Sequence, residues 1–223
     1  PVLWADNVEA LPEAPLFLIA NEFFDALPIR QFTRHAAGWA ETVVGLDGDS
    51  LTLGRTPPAP LAALDHRLAD TAPGDMVEIC PAATPIMARI GGLIARHGGA
   101  ALVIDYGGWY SLGDTFQALQ DHRPVDPLAA PGQADLTAHV DFAALARAAP
   151  PARASRMIEQ GVLLQRLGID QRAARLAQSL TGPARESHLA AHRRLTDGRE
   201  MGSLFKALAV YPPHLPPPPG FDA

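Results

Sequence analysis

Two short runs of apolar residues predict the central strands of this chain. Residues 16–19 are Leu-Phe-Leu-Ile and residues 101–104 are Ala-Leu-Val-Ile, with no polar side chain in either run. Runs of this length are too short for helices and are typical of strands buried on both faces, as in the parallel sheet of an α/β protein. They therefore predict two adjacent, parallel strands at the centre of one sheet.

A periodic segment before the second run predicts the helix that leads into it. Apolar side chains recur at helical spacing over 86–97, after Thr84 as the expected N-cap and Pro85 at the first helical position. Gly98 and Gly99 supply a stop signal. A helix followed by a strand, with acidic residues after both strands, predicts a wound α/β sheet.

The rest of the chain adds a hairpin, several helices and a late strand. Residues 47–50, Asp-Gly-Asp-Ser, separate two segments of β-type sequence and predict a β-hairpin. Residues 109–137 are predicted to be an irregular loop, and loops this long are usually functional or mobile. The other predicted elements are an extended segment at 29–34, helices at 142–148, 160–167, 170–180 and 184–195 with Asp141 and Asp170 as N-caps, and a strand at 204–211.

Polar side chains follow both central strands. Asn21, Glu22 and Asp25 come after the first strand, and Asp105 and Tyr106 come after the second. Ligands of open parallel sheets bind beyond the carboxyl ends of the strands, so these residues are candidates for a site. The alternative is that they only cap or turn the chain, as Asn and Asp often do. For the first strand alone, the pattern slightly favours that structural alternative.

Composition narrows the class of protein. The chain of 223 residues is 48% apolar, which is enough for a real core, and its net charge of −6 without a basic cluster argues against nucleic acid as a partner. No apolar run approaches the ~20 residues that a membrane helix needs. Cys80 is the only cysteine, which excludes an internal disulfide and suits a reducing compartment. The acidic, Pro-rich start is unlike a signal peptide, and a first residue other than Met indicates a fragment or a processed product.

Several familiar catalytic and metal-binding motifs do not occur in the sequence. There is no CxxC pair, no HExxH, no GxSxG, no P-loop and no GxGxxG after a predicted strand. His188 and His192 lie one helical turn apart without an acid nearby in the sequence, which indicates an exposed helix face rather than a metal site. We therefore predict no metal site.

Five segments resemble one family of enzymes. The segments are NEFFDALPIRQF at 21–32, ALVIDYG at 101–107, the stretch 113–142, QGVLLQRLGI at 160–169 and MGSLFKALAV at 201–210. They closely resemble segments of the MidA-like family of class I S-adenosylmethionine-dependent methyltransferases, in the same order and over nearly the whole chain. The resemblance implies an α/β fold, a class I (Rossmann-like) methyltransferase sheet with a β-hairpin insertion and a helical elaboration. Residues 1–211 correspond to the carboxy-terminal part of that domain, and 212–223 form a Pro-rich tail.

The same resemblance implies the cofactor and the substrate. The cofactor is S-adenosyl-L-methionine, and the family's glycine-rich cofactor loop would lie upstream of Pro1, so the sheet is incomplete at its amino-terminal side. The substrate is a protein arginine, on a respiratory complex I subunit if the family's mitochondrial complex I assembly role applies. The compartment is then the bacterial cytoplasm, or the mitochondrial matrix in a eukaryote. An open sheet edge would also favour a homo-oligomer.

The resemblance also assigns roles to the candidate residues. Carboxylates match a guanidinium in bidentate fashion, and arginine methyltransferases hold their substrate with an acidic loop after the corresponding strand. Glu22 and Asp25 are accordingly the expected catalytic residues; the expected substrate-binding residues are Asn21, Asp105, Tyr106 and His139. A second hypothesis, from another class of protein, is a non-catalytic module that uses the same surface to bind a partner protein.

Overall fold

Three β-sheets and six α-helices make up residues 2–222, the part of the chain that this computed structural model describes. In chain order, the strands are β1 (Leu16–Asn21), β2 (Arg30–His35), β3 (Gly38–Asp47), β4 (Ser50–Arg55), β5 (Met76–Ile79), β6 (Gly99–Gly108), β7 (Gln117–Gln120), β8 (Arg123–Val125), β9 (Asp135–Thr137), β10 (Val140–Asp141), β11 (Arg153–Ala154), β12 (Ile158–Glu159) and β13 (Phe205–Tyr211). The α-helices are α1 (Ala83–His97), α2 (Phe142–Ala148), α3 (Gln160–Arg166), α4 (Ile169–Ala177), α5 (Gly182–Thr196) and α6 (Met201–Leu204).

The largest sheet is built around β6. It pairs in parallel with β1 on one side, from Leu16 opposite Gly99 to Asn21 opposite Ile104, and antiparallel with β13 on the other side. The two apolar runs are thus adjacent parallel strands, as the sequence predicts. Within residues 2–222, however, β1 pairs only with β6, so β1 is an edge strand rather than a central one.

The main core lies on the face of this sheet that α1 and α2 cover. α1 buries one side, and Met87, Leu93 and Ile94 are completely buried there. The apolar residues at helical spacing account for this buried face of α1. Gly98 ends the helix with a positive φ of 86°, which favours glycine. The N-cap prediction is wrong: the helix begins two residues earlier, with Ala82 as N-cap and Thr84 inside the first turn.

Gly91 allows α1 and α2 to approach each other closely. A Cβ atom at this position would lie 2.0 Å from the carbonyl oxygen of Ala149, just after α2. Gly92 is different, because the nearest atom to a Cβ there would be the flexible end of Arg96, 3.2 Å away. The glycine pair that weakens the helical propensity of α1 therefore has a packing role at one of its two positions.

The second sheet is inserted between β1 and α1. Its order is β4-β3-β2-β5, all antiparallel, and Asp47 pairs with Ser50 across the turn of the predicted hairpin. The half of β3 that pairs with β4 is mostly exposed, and every residue of β4 is exposed. The hairpin therefore projects from the body of the protein. Strand β5 was not predicted, because its four residues lack a distinctive apolar pattern.

Two other predictions need correction. The region 109–137 is not wholly irregular, since β7, β8 and β9 form a small antiparallel sheet within it. Asp170 lies in the first turn of α4, and the N-cap is Gly168. The predicted helices α2, α3 and α5 and the strand β13 are confirmed, each within a few residues of its expected limits.

The open face of β1 is apolar. The side chains of Phe17 and Ile19 are 84% and 74% exposed on the face opposite α1. Near them, Pro218 and Phe221 of the tail lie beside Leu163 of α3, and the three help to line one groove with β1. The domain limits predicted above remain a prediction, and their end residues Pro1 and Ala223 lie outside the described part of the chain. No helix in the described part is long and apolar enough to cross a membrane.

Candidate functional site

The carboxyl ends of β1 and β6 bring the predicted site residues to one edge of the main sheet. Glu22 follows β1 directly, and its backbone N–H donates to the carbonyl of Ile104 on β6 at 3.0 Å. Its φ of 49° is in the left-handed region, which costs a non-glycine residue roughly 1–2 kcal/mol. Backbone strain of this kind concentrates at functional sites. The Glu22 side chain is exposed, and it accepts a 3.3 Å hydrogen bond from the amide of Asn21.

Asp105 holds the loop that follows β1. It is the last core position of β6 before Tyr106 and is 0% exposed. One carboxylate oxygen accepts from the backbone N–H groups of Phe24 and Asp25, at 3.1 and 3.3 Å, and the other accepts from the N–H of Tyr106 at 3.1 Å. Asp105 is therefore a positioning residue for the 22–25 loop, and it cannot touch a substrate without a rearrangement.

Asp25 is the second buried carboxylate of this edge, with 4% of its surface exposed. Its Oδ1 atom is buried and has no hydrogen-bond partner among residues 2–222. In the same part of the chain, no Lys, Arg or His nitrogen lies within 4.0 Å of either Asp25 or Asp105. A buried acceptor without a partner costs ~1–3 kcal/mol, so a hydrogen-bond donor at Oδ1 would stabilise this arrangement, and a cationic donor would also offset the negative charge.

The two carboxylates change the acid–base properties of their surroundings. Burial, followed by the negative charge of Asp25, raises the pKa of Asp105 from 3.8 to about 7, against the opposing effect of its three backbone N–H bonds. Burial also raises the pKa of Tyr106, and the neighbouring Asp25 carboxylate adds to that increase, while Thr137 opposes it. Tyr106 therefore stays protonated beside Asp25, and a positive charge arriving here would relieve the repulsion between the carboxylates.

His139 lies beside Tyr106 just before β10. Their rings meet edge to face with centroids 5.7 Å apart, and the backbone N–H of His139 donates to the hydroxyl of Thr115 at 2.8 Å. The backbone of this segment also reaches the loop after β1, since the N–H of Ala138 donates to the carbonyl of Asp25 at 3.0 Å. All six predicted residues thus belong to one connected region.

Sequence reasoning missed Glu78, a buried carboxylate on β5. It accepts from the side chain of Gln31 at 2.9 Å and from the backbone N–H of Thr115 at 3.0 Å, and the Thr115 hydroxyl also donates to it. Glu78 thereby fixes Thr115, which in turn holds His139. A charged residue between the apolar residues of a short strand, Val77-Glu78-Ile79, was the signal available in the sequence.

Two of the cavities that border the 22–25 loop are lined by its carboxylate residues. One, of about 580 Å³, is lined by Asn21, Glu22 and Phe23 together with residues 5–8 and Ile86. The other, of about 340 Å³, is lined by Asp25 and by residues of the hairpin and the small sheet. Both volumes lie in the range of ~300–1,000 Å³ that small-molecule sites occupy. Of the predicted residues, Asn21 and Glu22 line the first cavity and Asp25 lines the second, whereas His139 lines other cavities of the same region.

The structure shows the surroundings of two features that the sequence interprets as structural, the N-cap at Asp141 and the helix face with His188 and His192. Asp141 is the N-cap of α2 and accepts from the N–H of Ala144 at 2.7 Å, as predicted. His192 does have an acid nearby, because Asp170 of α4 lies 2.8 Å from its ring; His188 contacts the carbonyl of Ala173. These contacts join α5 to α4. Across residues 2–222, no group of three or more His, Cys, Asp or Glu side chains is arranged to hold a metal ion.

Comparison with known proteins identifies the class to which this fold and site belong. A family model described as S-adenosyl-L-methionine-dependent methyltransferase matches residues 1–158. The chain belongs to this family. A solved structure of a COG1565 superfamily member from Burkholderia thailandensis, bound to S-adenosyl-homocysteine, superposes with a TM-score of 0.78 and 30% identity over 99% of this chain and 57% of that one. The fold is thus the Rossmann-like methyltransferase fold that the sequence predicts.

The curated relatives are more specific. The chain is 37% identical over 217 residues to the mitochondrial protein arginine methyltransferase NDUFAF7 of Homo sapiens, covering 95% of this chain and 49% of the relative. It is 35% identical over 232 residues to the protein of the same name from Xenopus tropicalis, covering 100% of this chain and 54% of the relative. The chain therefore spans about half the length of the curated relatives that it matches.

The cofactor of this family, S-adenosylmethionine, fits the described residues only in part. The larger cavity beside Asn21 and Glu22 has polar groups and the apolar side chains of Phe23 and Ile86, a mixture that suits a nucleoside. A glycine-rich turn from a strand into a helix, which would approach the rest of such a molecule, is not found within residues 2–222. These residues can form one wall of the cofactor site.

Proposed function

We propose that this chain supplies the substrate-holding half of an S-adenosylmethionine-dependent protein-arginine methyltransferase. The observation that carries the proposal is the pair of buried carboxylates, Asp25 and Asp105, which have no cation near them and leave Asp25 Oδ1 without a partner. A guanidinium is a planar cation with five N–H donors, and it is the group that best matches such a site. The names of the curated relatives support the same substrate class.

The chemistry assigned to the side chains follows from the charge of arginine. The cofactor, when bound, supplies an electrophilic methyl group. A guanidinium remains protonated at neutral pH, so the protein must orient one nitrogen and stabilise positive charge while the new bond forms. We assign Asp25 to holding the guanidinium. Glu22 is exposed on the side of the larger cavity, and we assign it to pairing with the nitrogen that receives the methyl group.

The remaining predicted residues have supporting roles in this proposal. Asp105 positions Asp25 through its backbone N–H, Tyr106 places a protonated hydroxyl beside the Asp25 carboxylate, and His139 packs on Tyr106. Asn21 contacts the Glu22 carboxylate and orients it. A respiratory complex I subunit as substrate, and the mitochondrial matrix or the bacterial cytoplasm as compartment, stay predictions that rest on the resemblance and on the mitochondrial relatives.

The test is methyl transfer to an arginine-bearing protein or peptide by the longest natural chain that contains these 223 residues. Glu22→Gln removes the charge with little change in shape, and losing a charge-assisted hydrogen bond costs ~1.5–3 kcal/mol. If the loss is concentrated in the transition state, kcat falls about tenfold for each 1.4 kcal/mol. Full activity of Glu22→Gln, or a loss explained entirely by unfolding in a parallel thermal melt, would remove Glu22 from the catalytic assignment.

One observation favours the alternative of a non-catalytic binding module: the described residues form only one wall of the cofactor site. Calorimetry separates the two hypotheses. We expect the 223-residue chain to bind S-adenosylmethionine weakly or not at all, and the longest natural chain to bind it tightly. If the longest chain also fails to bind the cofactor, the enzymatic proposal is wrong and the binding module is favoured.

A further inference from the structure

A mostly apolar groove of about 340 Å³ leads along the protein surface to Asp25. One wall comes from the projecting hairpin, through Val44 of β3 and Leu53 of β4, which pair with each other across the hairpin. The opposite wall comes from Phe116 and from Leu136 of β9. We infer that this groove holds the target arginine of the substrate protein, with the alkyl stem between the two walls and the guanidinium at Asp25.

Charge complementarity identifies the occupant. Two carboxylates line the groove, but Glu41 is already neutralised by Arg30, which bonds both of its oxygens at 2.7 Å. Asp25 is the carboxylate whose charge is not compensated within the described residues, and its buried Oδ1 has no partner. The groove therefore poses a two-part requirement, an apolar stem and a cationic hydrogen-bond donor for Asp25 Oδ1. Among the described residues that line it, the hydroxyls of Thr42 and Thr137 are also buried without a partner, but they carry no charge.

An arginine side chain meets both parts of that requirement. Its three methylene groups bury well against apolar side chains, while its charged end needs a carboxylate. Lysine has a similar stem, but its ammonium is a compact and more strongly hydrated charge that is not matched to a carboxylate in bidentate fashion. Citrulline has the shape of arginine without the charge. The three side chains therefore give different expected affinities.

The groove and the larger cavity are lined by different residues of the same loop. Asp25 lines the groove, and Glu22 lines the cavity in which these residues form a wall of the cofactor site. The inference rests on the proposed function for the identity of the reaction, but not for binding. An arginine side chain that enters from the hairpin side reaches the loop without passing through the cofactor's cavity.

The experiment measures binding without any methyl donor. Peptides of sequence Gly-Gly-X-Gly-Gly, blocked at both ends and carrying arginine, lysine or citrulline at X, are titrated into the 223-residue chain and followed by methyl NMR. We expect the arginine peptide to bind at least tenfold more tightly than the citrulline peptide, with lysine between them. The shifts should concentrate at Val44, Leu53 and Leu136.

Two variants on the hairpin make the test specific. Leu53→Lys places a positive charge in the groove wall, and Leu51→Lys makes the same change two residues away on β4, outside the groove. Both leucines are partly exposed, at 53% and 38%, so both variants should fold. We expect Leu53→Lys and Asp25→Asn each to weaken arginine binding at least tenfold, and Leu51→Lys to change it by less than twofold.

Each outcome has a defined meaning. Equal binding of the arginine and citrulline peptides, or equal effects of Leu53→Lys and Leu51→Lys, overturns the inference whether or not the longer chain is an enzyme. Arginine-specific binding in the groove supports the inference even if methyl transfer is never detected. In that case only the proposed reaction fails, and the site stands as an arginine-binding site.

Discussion

Replacing Asp105 by Asn tests how strongly the buried carboxylate pair acts on the folded state. In the folded protein, burial and the charge of Asp25 raise the pKa of Asp105 from 3.8 to about 7. Between these two values the folded state keeps a proton that the unfolded chain releases, so the stability of the wild-type protein falls as the pH rises through this window. Above pH 7 both states are ionised, and the loss is complete.

The magnitude follows from the same two values. The pKa difference spans about three units, and each unit is worth ~1.36 kcal/mol, so ionisation of Asp105 removes about 4 kcal/mol of stability between pH 4 and pH 8. Asn has no proton to lose at this position. Its carbonyl oxygen can keep the bonds from the N–H groups of Phe24 and Asp25, and losing the bond from Tyr106 costs roughly 1 kcal/mol.

Urea denaturation at several pH values between 4 and 8 measures this effect. We expect Asp105→Asn to be slightly less stable than wild type near pH 4 and more stable by a few kcal/mol near pH 8. Asp65→Asn, which changes an exposed carboxylate, controls for the loss of one negative charge. If the stability difference between Asp105→Asn and wild type is the same at every pH, Asp105 does not have the raised pKa on which the electrostatic argument for the site depends.

Two further predictions concern packing and association. Gly91→Ala should destabilise the fold by ~1–3 kcal/mol in urea denaturation, because its Cβ would lie 2.0 Å from the carbonyl oxygen of Ala149. Gly92→Ala should be neutral or stabilising by up to ~1 kcal/mol. Equal effects of the two changes would contradict the close-approach argument. The 223-residue chain should self-associate through the open edge and apolar face of β1, as measured by light scattering. The double change Phe17→Lys and Ile19→Lys should reduce this self-association. A clean monomer over a wide concentration range counts against the prediction.

The central fold was predictable because its signals are local. The runs at 16–19 and 101–104 are uninterrupted apolar segments, and the helical period of α1 ends at a glycine with a positive φ. Strands β5 and β7 to β9 were missed because they are three or four residues long and are stabilised by pairing with distant segments. Short strands of this kind carry little intrinsic preference, and their tertiary contacts decide their conformation.

The candidate site was predictable in its residues but not in its arrangement. Polar residues after two parallel strands indicate where a ligand binds, and the structure does join Asp25 to Asp105 through a hydrogen bond. The sequence could not show that Asp105 is fully buried, that Glu22 and Asp25 line different cavities, or that Glu78 supports His139 through Thr115. Each of these depends on contacts between segments that are far apart in the chain.

On the proposed function, the projecting hairpin contributes to substrate binding while the loop after β1 carries the carboxylates that the reaction needs. Strands β3 and β4 extend away from the main sheet, and their outer residues contribute little to the core. Insertions, deletions and substitutions near the turn at 48–49 should therefore change the free energy of folding little. On the proposed function, the loop that holds arginine is anchored on a rigid sheet, and the hairpin is a wall that can be lengthened or reshaped to change which substrates bind. New substrate preferences could be selected from hairpin libraries while the carboxylates stay untouched.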